Sequence, residues 1–314
     1  MMTPSFPTHR QSSSKSSAIP VITVLLLLML RPSAEAASRF WDGSANGNFS
    51  TAANWVGGVA PVAGDDLVFQ TSVTQLLVTN DFSPNRAFHS LLFQGSNYFV
   101  RGNSILVTNG INSINPVGAN HIDADVEVRA AQIWETQGPL ASMDINGDIN
   151  LNAHLLTVRA NTGDFFFSGI ISGTGGINKT NVGTLRMDGS GHNTYSGTTI
   201  FGGGVLELDK FSIFPFFTNY TSIPGDLIVG DGNNLLLTDV LRLLADDQIA
   251  NTSDVTMKNS ALFDLNGNAD HIGALTMQGG TIDTKGGTLF LGGNLTTLSD
   301  ANTAFIEGHL SLGG

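Results

Sequence analysis

From residue 140 onward the apolar side chains of this chain arrive in pairs two residues apart, with one polar residue between them and a glycine just ahead. GTLRM at 183–187 and GVLEL at 204–208 are two instances. A period of two puts both apolar residues of a unit on one face of a strand, so Leu185 and Met187 are predicted to point inward and Thr184 and Arg186 outward. The pattern Gly-x-(Leu/Ile)-x-(Leu/Met/Val) recurs at 147, 183, 204, 225, 273, 287 and 308. Composition alone gives about one such match. Three of the intervals, 183 to 204, 204 to 225 and 287 to 308, are each 21 residues. A strand-forming unit at a period in the twenties predicts a solenoid, in which each coil lies on the previous one. Leu206 and Leu208 are then expected to stack on Leu185 and Met187, about 4.8 Å along the axis. Gly183 and Gly204 mark corners, through positive φ or close backbone approach.

Two stretches invite other readings. LLLTDVLRLLADDQIA at 235–250 places Leu237, Val240, Leu241 and Leu244 at helical spacing, which sets a short helix against strands. DINGDINLNA at 144–153 alternates Asp144, Asn146 and Asp148 like the donors of a calcium loop. Its glycine and the missing terminal glutamate do not suit an EF-hand, so one strand with Ile145, Ile149 and Leu151 facing inward is expected instead.

Residues 1–36 stand apart from this pattern. Arg10 and Lys15 precede an apolar run from Val21 to Leu30, and Ala34, Glu35 and Ala36 supply small residues for cleavage. This is the make-up of a signal peptide, with cleavage expected between Ala36 and Ala37. A run of ten residues is about half of the roughly 20 that cross a bilayer, and no transmembrane segment is expected in the mature chain. Removing the leader takes away Arg10, Lys15, Arg31 and Glu35, leaving 11 basic and 25 acidic residues and a formal charge of −14. Such a surface repels nucleic acid and anionic lipid. With no cysteine, the exported chain must hold itself together without disulfides, and about 278 residues bury enough surface for that.

The segment 173–210, GTGGINKTNVGTLRMDGSGHNTYSGTTIFGGGVLELDK, resembles the autotransporter-associated β-strand repeat. The match runs through Lys179, Gly183, Thr184, Leu185, Gly189, Asn193, Tyr195, Gly197, Thr199, Gly204, Leu206 and Leu208. Residues 279–295 echo 175–191, giving a weaker copy over 279–312. FWDGSANGNFSTAANWVGGVAPVAGDDLVF at 40–69 is similar to the opening segment of secreted proteins that carry this repeat, with Trp41, Asn54, Trp55, Pro61, Asp65 and Phe69 as landmarks. The resemblance implies an all-β, right-handed parallel β-helix over 37–314, exported to the cell surface or beyond as a spacer or passenger. Complete autotransporters end in a membrane barrel of amphipathic strands, and this sequence contains none. It stops after a strand unit with no polar capping turn, so an open stack end covered by a further segment or a neighbouring subunit is expected.

Candidate chemistry is sparse. Glycoside hydrolysis needs two carboxylates about the scissile bond, and the acidic candidates are the pair Asp246 and Asp247 and the group His121, Asp123 and Asp125. His192 with Ser190 is explained by the repeat, and no metalloprotease, phosphate-loop or cysteine metal motif is present. Neither a cofactor nor a metal is expected. For binding, Trp41, Trp55 and Trp134 are the glycan-stacking candidates, and FSIFPFF at 211–217 offers a loop or contact patch. The expected product is a non-catalytic surface spacer, with an extracellular polysaccharide-binding or polysaccharide-degrading β-helix as the alternative.

Overall fold

The computed structural model describes residues 36–83, 86–212, 218–233, 238–298 and 303–313. The leader expectation concerns residues 1–36, of which 1–35 lie outside them, as does most of FSIFPFF. The described chain is a parallel β-solenoid of about 10 turns, with coils about 22 residues apart and about 1% helix. Two long sheets form its sides, one of 15 strands and one of 12 among the described residues. One coil shows the plan. Gln132–Thr136 lies in the first sheet, Leu140–Ile145 in the second and Ile149–Asn150 in a short third row, and Leu156–Ala160 returns on top of Gln132–Thr136.

The inward faces read as the period of two demands. Met143, Phe165, Leu185, Leu206, Leu241, Phe263 and Ile282 form one continuous column in the second sheet. All are fully buried. Leu206 and Leu208 do stack on Leu185 and Met187. Between Gln132 and Leu208 register partners are spaced from 20 residues (Phe165 to Leu185) to 24 (Gln132 to Leu156), so the coil length varies about the period seen in the sequence.

Two expectations change, and the choice between helix and strand in 235–250 is decided for the strand. The seven glycine-led units do not form one register, because GDLIV and GALTM supply first-sheet strands while GTLRM and GVLEL belong to the second. The 21 residues from 204 to 225 therefore carry the chain from one face to another, and Leu206 stacks on Leu241 instead. DINGDINLNA is not one strand: Leu140–Ile145 ends, the chain turns at Gly147, and Ile149–Asn150 begins a new face. A Cβ on Gly147 would lie 2.3 Å from the Ala124 oxygen of the coil below, so the turn depends on glycine. In 235–250, residues 235–237 are outside the description, and Asp239–Leu243 is a strand with Leu241 and Leu243 inward. Alternation wins there because Leu206 and Leu208 offer a parallel edge and an apolar column to join.

The coil after Gly204 is enlarged, since Leu206 and Leu241 are 35 residues apart. An antiparallel pairing of Phe211–Ser212 with Thr218–Asn219 leaves the stack here. At the amino-terminal end, residues 42–56 fold across both sheet edges. Val56 N–H donates to the Phe40 oxygen (2.9 Å) and Asp42 N–H to the Asn54 oxygen (2.9 Å) at one edge, and Phe49 N–H donates to the Thr79 oxygen (3.0 Å) at the other. At the opposite end, Leu295–Thr297 and Phe305–Leu312 have a strand neighbour on one side only among the described residues. Leu295, Leu298, Phe305 and Leu312 are exposed there.

Candidate functional site

The residues that define the repeat serve packing. Gly183 has ordinary φ but lies so close to the coil below that a Cβ would stand 2.2 Å from the Gly163 oxygen, whereas Gly204 combines φ of +73° with the same crowding. Tyr195 is fully buried, with its hydroxyl 2.7 Å from that of Thr199. Lys179 sits in the inward column between Val158 and Phe201 with no exposed surface. Its Nζ donates to the carbonyl oxygens of Thr180 (3.1 Å), Asn181 (3.0 Å) and Gly203 (2.8 Å), tying the corners of two coils together. Burial lowers its pKa to about 7, against the attraction of Asp239 and Asp164.

The three tryptophans are not glycan contacts. Trp41 and Trp134 have no exposed surface and Trp55 has 1%. Trp41, Phe49 and Trp55 meet edge to face at 5.1–6.1 Å and plug the amino-terminal end of the core. Trp55 Nε1 donates to the Phe49 oxygen (2.8 Å), Trp41 Nε1 to the Gln75 oxygen (3.0 Å), and Trp134 Nε1 to Gln132 Oε1 (3.0 Å). The indole nitrogens are satisfied internally, which is how a tryptophan is accommodated in a core.

Carboxylates follow a second rule. At several corners an aspartate accepts a main-chain N–H from the coil beside it. Asp125 takes the amide of Asp148 (3.0 Å), Asp148 that of Ile170 (2.7 Å), Asp226 that of Asp254 (3.1 Å) and Asp254 that of Ala274 (2.7 Å). Asp246, one of the acidic pair, takes the amide of Ala269 (2.7 Å), while Asp247 lies 3.2 Å from His271. Asp123 accepts Asn146 Nδ2 (2.7 Å). His121 pairs with Asp144 at 3.1 Å, not with Asp123 or Asp125. His192 Nδ1 accepts the Thr221 amide (3.0 Å), which gives it a structural bond in the enlarged coil.

The outward column of the second sheet concentrates the remaining chemistry. Register runs Leu77, Phe99, His121, Asp144, Phe166, Arg186, Glu207, Arg242 and Asp264, one residue per coil. Phe99 stacks on His121 at 4.3 Å and 10°. Arg186 pairs with Asp209 and lies 3.6 Å from Asp188 and 4.0 Å from Glu207. Arg242 bridges Glu207 (3.8 Å) and Asp264 (3.0 Å). Burial raises the pKa of Asp144, opposed by the Ser142 hydrogen bond and His121 and reinforced by Asp188. Burial also raises that of Asp209, opposed by Arg186 and reinforced by Asp188. This column escaped the sequence reading, although 121, 144, 166, 186 and 207 are spaced by one coil each. Among the described residues no group of three or more His, Cys, Asp or Glu is placed to hold a metal ion, and no helix is long and apolar enough to cross a membrane. No family model, no curated protein and no solved structure matches the chain.

Proposed function

We propose that the chain is exported under residues 1–36 and works outside the cell or on its surface as a non-catalytic solenoid spacer. In this reading it is a passenger of the kind implied by the resemblance of 173–210 to the autotransporter-associated repeat, with its outer faces free to adhere. The observation that carries the reading is where the reactive side chains are used. Asp246, Asp247, Asp123, Asp125, His121 and His192 all hold neighbouring coils together. Export has its own support at Ala37, whose nitrogen is 3.3 Å from Asp65 Oδ1. Cleavage after Ala36 turns that amide into an ammonium group facing a carboxylate. The test is expression of the full chain with its leader, followed by sequencing of the exported amino terminus and assay of reducing-sugar release from a polysaccharide panel. A start at Ala37 with no turnover is expected. Retention of the leader inside the cell, or sugar release lost in Asp246→Asn or Asp247→Asn, overturns the proposal.

One observation favours a second reading, a glycan-binding or glycan-degrading face. Phe99, His121 and Asp144 stack on successive coils, and the raised pKa of Asp144 is the property a general acid needs. Sugar release or polysaccharide retention that disappears in Asp144→Asn supports this face. Unchanged behaviour removes it.

A further inference from the structure

Asp270 occupies an inward position where the neighbouring coil of the column offers Leu289 and the next Leu310. It has no exposed surface. One oxygen, Oδ2, accepts the main-chain N–H groups of Gln248 (2.8 Å) and Ile249 (3.2 Å). The other, Oδ1, is buried without a hydrogen-bond partner. Gln248 extends the bonding outward. Its side chain accepts the Lys210 N–H (2.8 Å) and the Ser222 hydroxyl (2.7 Å), and donates to the Lys210 oxygen (3.1 Å). The carboxyl group therefore sits beneath the two feet of the enlarged coil.

The charged groups around it offer no compensation for a negative charge. The loop before Gln248 contributes two more carboxylates, Asp246 on the Ala269 amide and Asp247 beside His271. Lys210, behind Gln248, directs its ammonium group to the Gly169 oxygen at 2.9 Å. His271, next in the strand, faces Asp247 and stacks on Phe290. An ionised carboxylate buried with one oxygen unbonded and no cation against it is costly, and such a group stays protonated instead.

We propose that Asp270 is a structural acid that holds its proton in the folded chain, so that the solenoid gains stability as its surroundings become mildly acidic. Burial, reinforced by Asp247 and opposed by the main-chain donors, raises its pKa to about 8. A carboxyl group raised in this way contributes stability that is fully present below the ordinary carboxylate pKa, about 4, and is lost as pH climbs through the folded value. Asp144 and Asp209 are raised and act in the same sense. Asp264 is lowered: burial pushes it up, but Lys285, Arg242 and the Asn266 amide prevail, so it acts below the ordinary carboxylate range. Burial lowers Lys179 and Lys210, to about 7 and about 8, so their opposite effect is felt above neutral pH. Between about pH 5 and 6.5 an unfolded Asp270 is ionised and the two lysines keep their protons, and comparison with Asp270→Asn cancels the shared contributions of Asp144 and Asp209.

The experiment is urea denaturation of the full chain at pH 5.0, 5.75 and 6.5, followed by tryptophan fluorescence, for the wild type and Asp270→Asn. One proton taken up on folding makes the unfolding equilibrium constant rise about tenfold per pH unit. The expected result is a slope in Asp270→Asn lower by about that amount. Equal slopes overturn the proposal. Should Asp270→Asn fail to fold, the wild type decides the matter through NMR titration of the Asp270 side-chain carboxyl carbon. A midpoint far above the ordinary range supports the proposal, and one near 4 overturns it.

Discussion

Gly183→Ala is the sharpest test of how this solenoid is built. The added Cβ would stand 2.2 Å from the Gly163 oxygen and 3.0 Å from both the Cβ and the oxygen of Ala160. Normal contact begins near 3.5 Å, so the two coils must part by about 1 Å. The colliding oxygen belongs to the main chain and cannot swing aside as the end of a side chain would. Parting the coils also strains the ladder joining Thr184–Met187 to Asp164–Phe167 and Gly204–Leu208. Overpacking of this kind costs about 1–3 kcal/mol, and the main-chain clash puts Gly183→Ala at the upper end. The control is Gly292→Ala, where φ is ordinary and the closest atom, the Ile272 oxygen, is 3.4 Å away. There the lost freedom of the unfolded chain gives no change or a gain of about 0.4–1 kcal/mol. Urea denaturation read through Trp134, which lies in the same inward column as Lys179, reports on the affected coils. Equal midpoints for the two variants would refute the view that close approach, and not turn conformation, selects glycine at 183.

Trp55→Ala empties the centre of the amino-terminal plug and is expected to cost about 3–5 kcal/mol; freeing the Ser38–Trp41 edge should also raise the aggregate fraction seen by light scattering, and a monomeric, equally stable variant would contradict the cap. Lys179→Met keeps the apolar stem but strips partners from the Thr180, Asn181 and Gly203 carbonyls. At about 1–3 kcal/mol for each buried group left unsatisfied, a loss of several kcal/mol is expected in thermal or urea unfolding, and a stabilised variant would show that the ammonium is a burden. Asp148→Ala hands the Ile170 amide to water and should cost about 0.5–1.5 kcal/mol with faster hydrogen exchange at Ile170; unchanged exchange would sink the corner-aspartate rule.

The fold was legible because the inward columns impose a period of two that no other packing explains, as Leu185 and Met187 under Leu206 and Leu208 show. The assignment of units to faces was not. A glycine-led strand looks the same in any sheet, and only pairing tells Leu227, in the first sheet, from Leu241, in the second. The tryptophans misled for a related reason. A composition that marks an aromatic as a sugar platform also fits a plug, and what decides is whether the indole N–H finds a main-chain oxygen, as in Trp41 and Trp55. The column from Phe99 to Asp264 lay hidden because its members are single residues of mixed chemistry, related only by the coil length.

The acidity of the chain acquires a physical explanation from the corners. A formal charge of −12 over the whole sequence invites the thought of a cationic partner. Yet each corner of a solenoid leaves main-chain amides that the ladders do not use, and a side-chain acceptor from the neighbouring coil fixes the corner by taking one of them. Aspartate supplies one on a short stem and adds charge assistance to the bond. The pairs Asp125 with Asp148, Asp148 with Ile170, Asp226 with Asp254 and Asp254 with Ala274 repeat this solution along the stack. Arg186, Arg242 and Lys285 bind Glu207, Asp209 and Asp264 on the outer face of the second sheet. A substantial part of the negative charge thus arises from closing coils without cysteine. Neutralising the corner aspartates, which bond a main-chain amide of the next coil, should weaken the fold more than neutralising Glu307, although all of these acids are exposed and either change brings the net charge nearer zero. A partner-driven origin predicts the reverse, with stability untouched and binding lost.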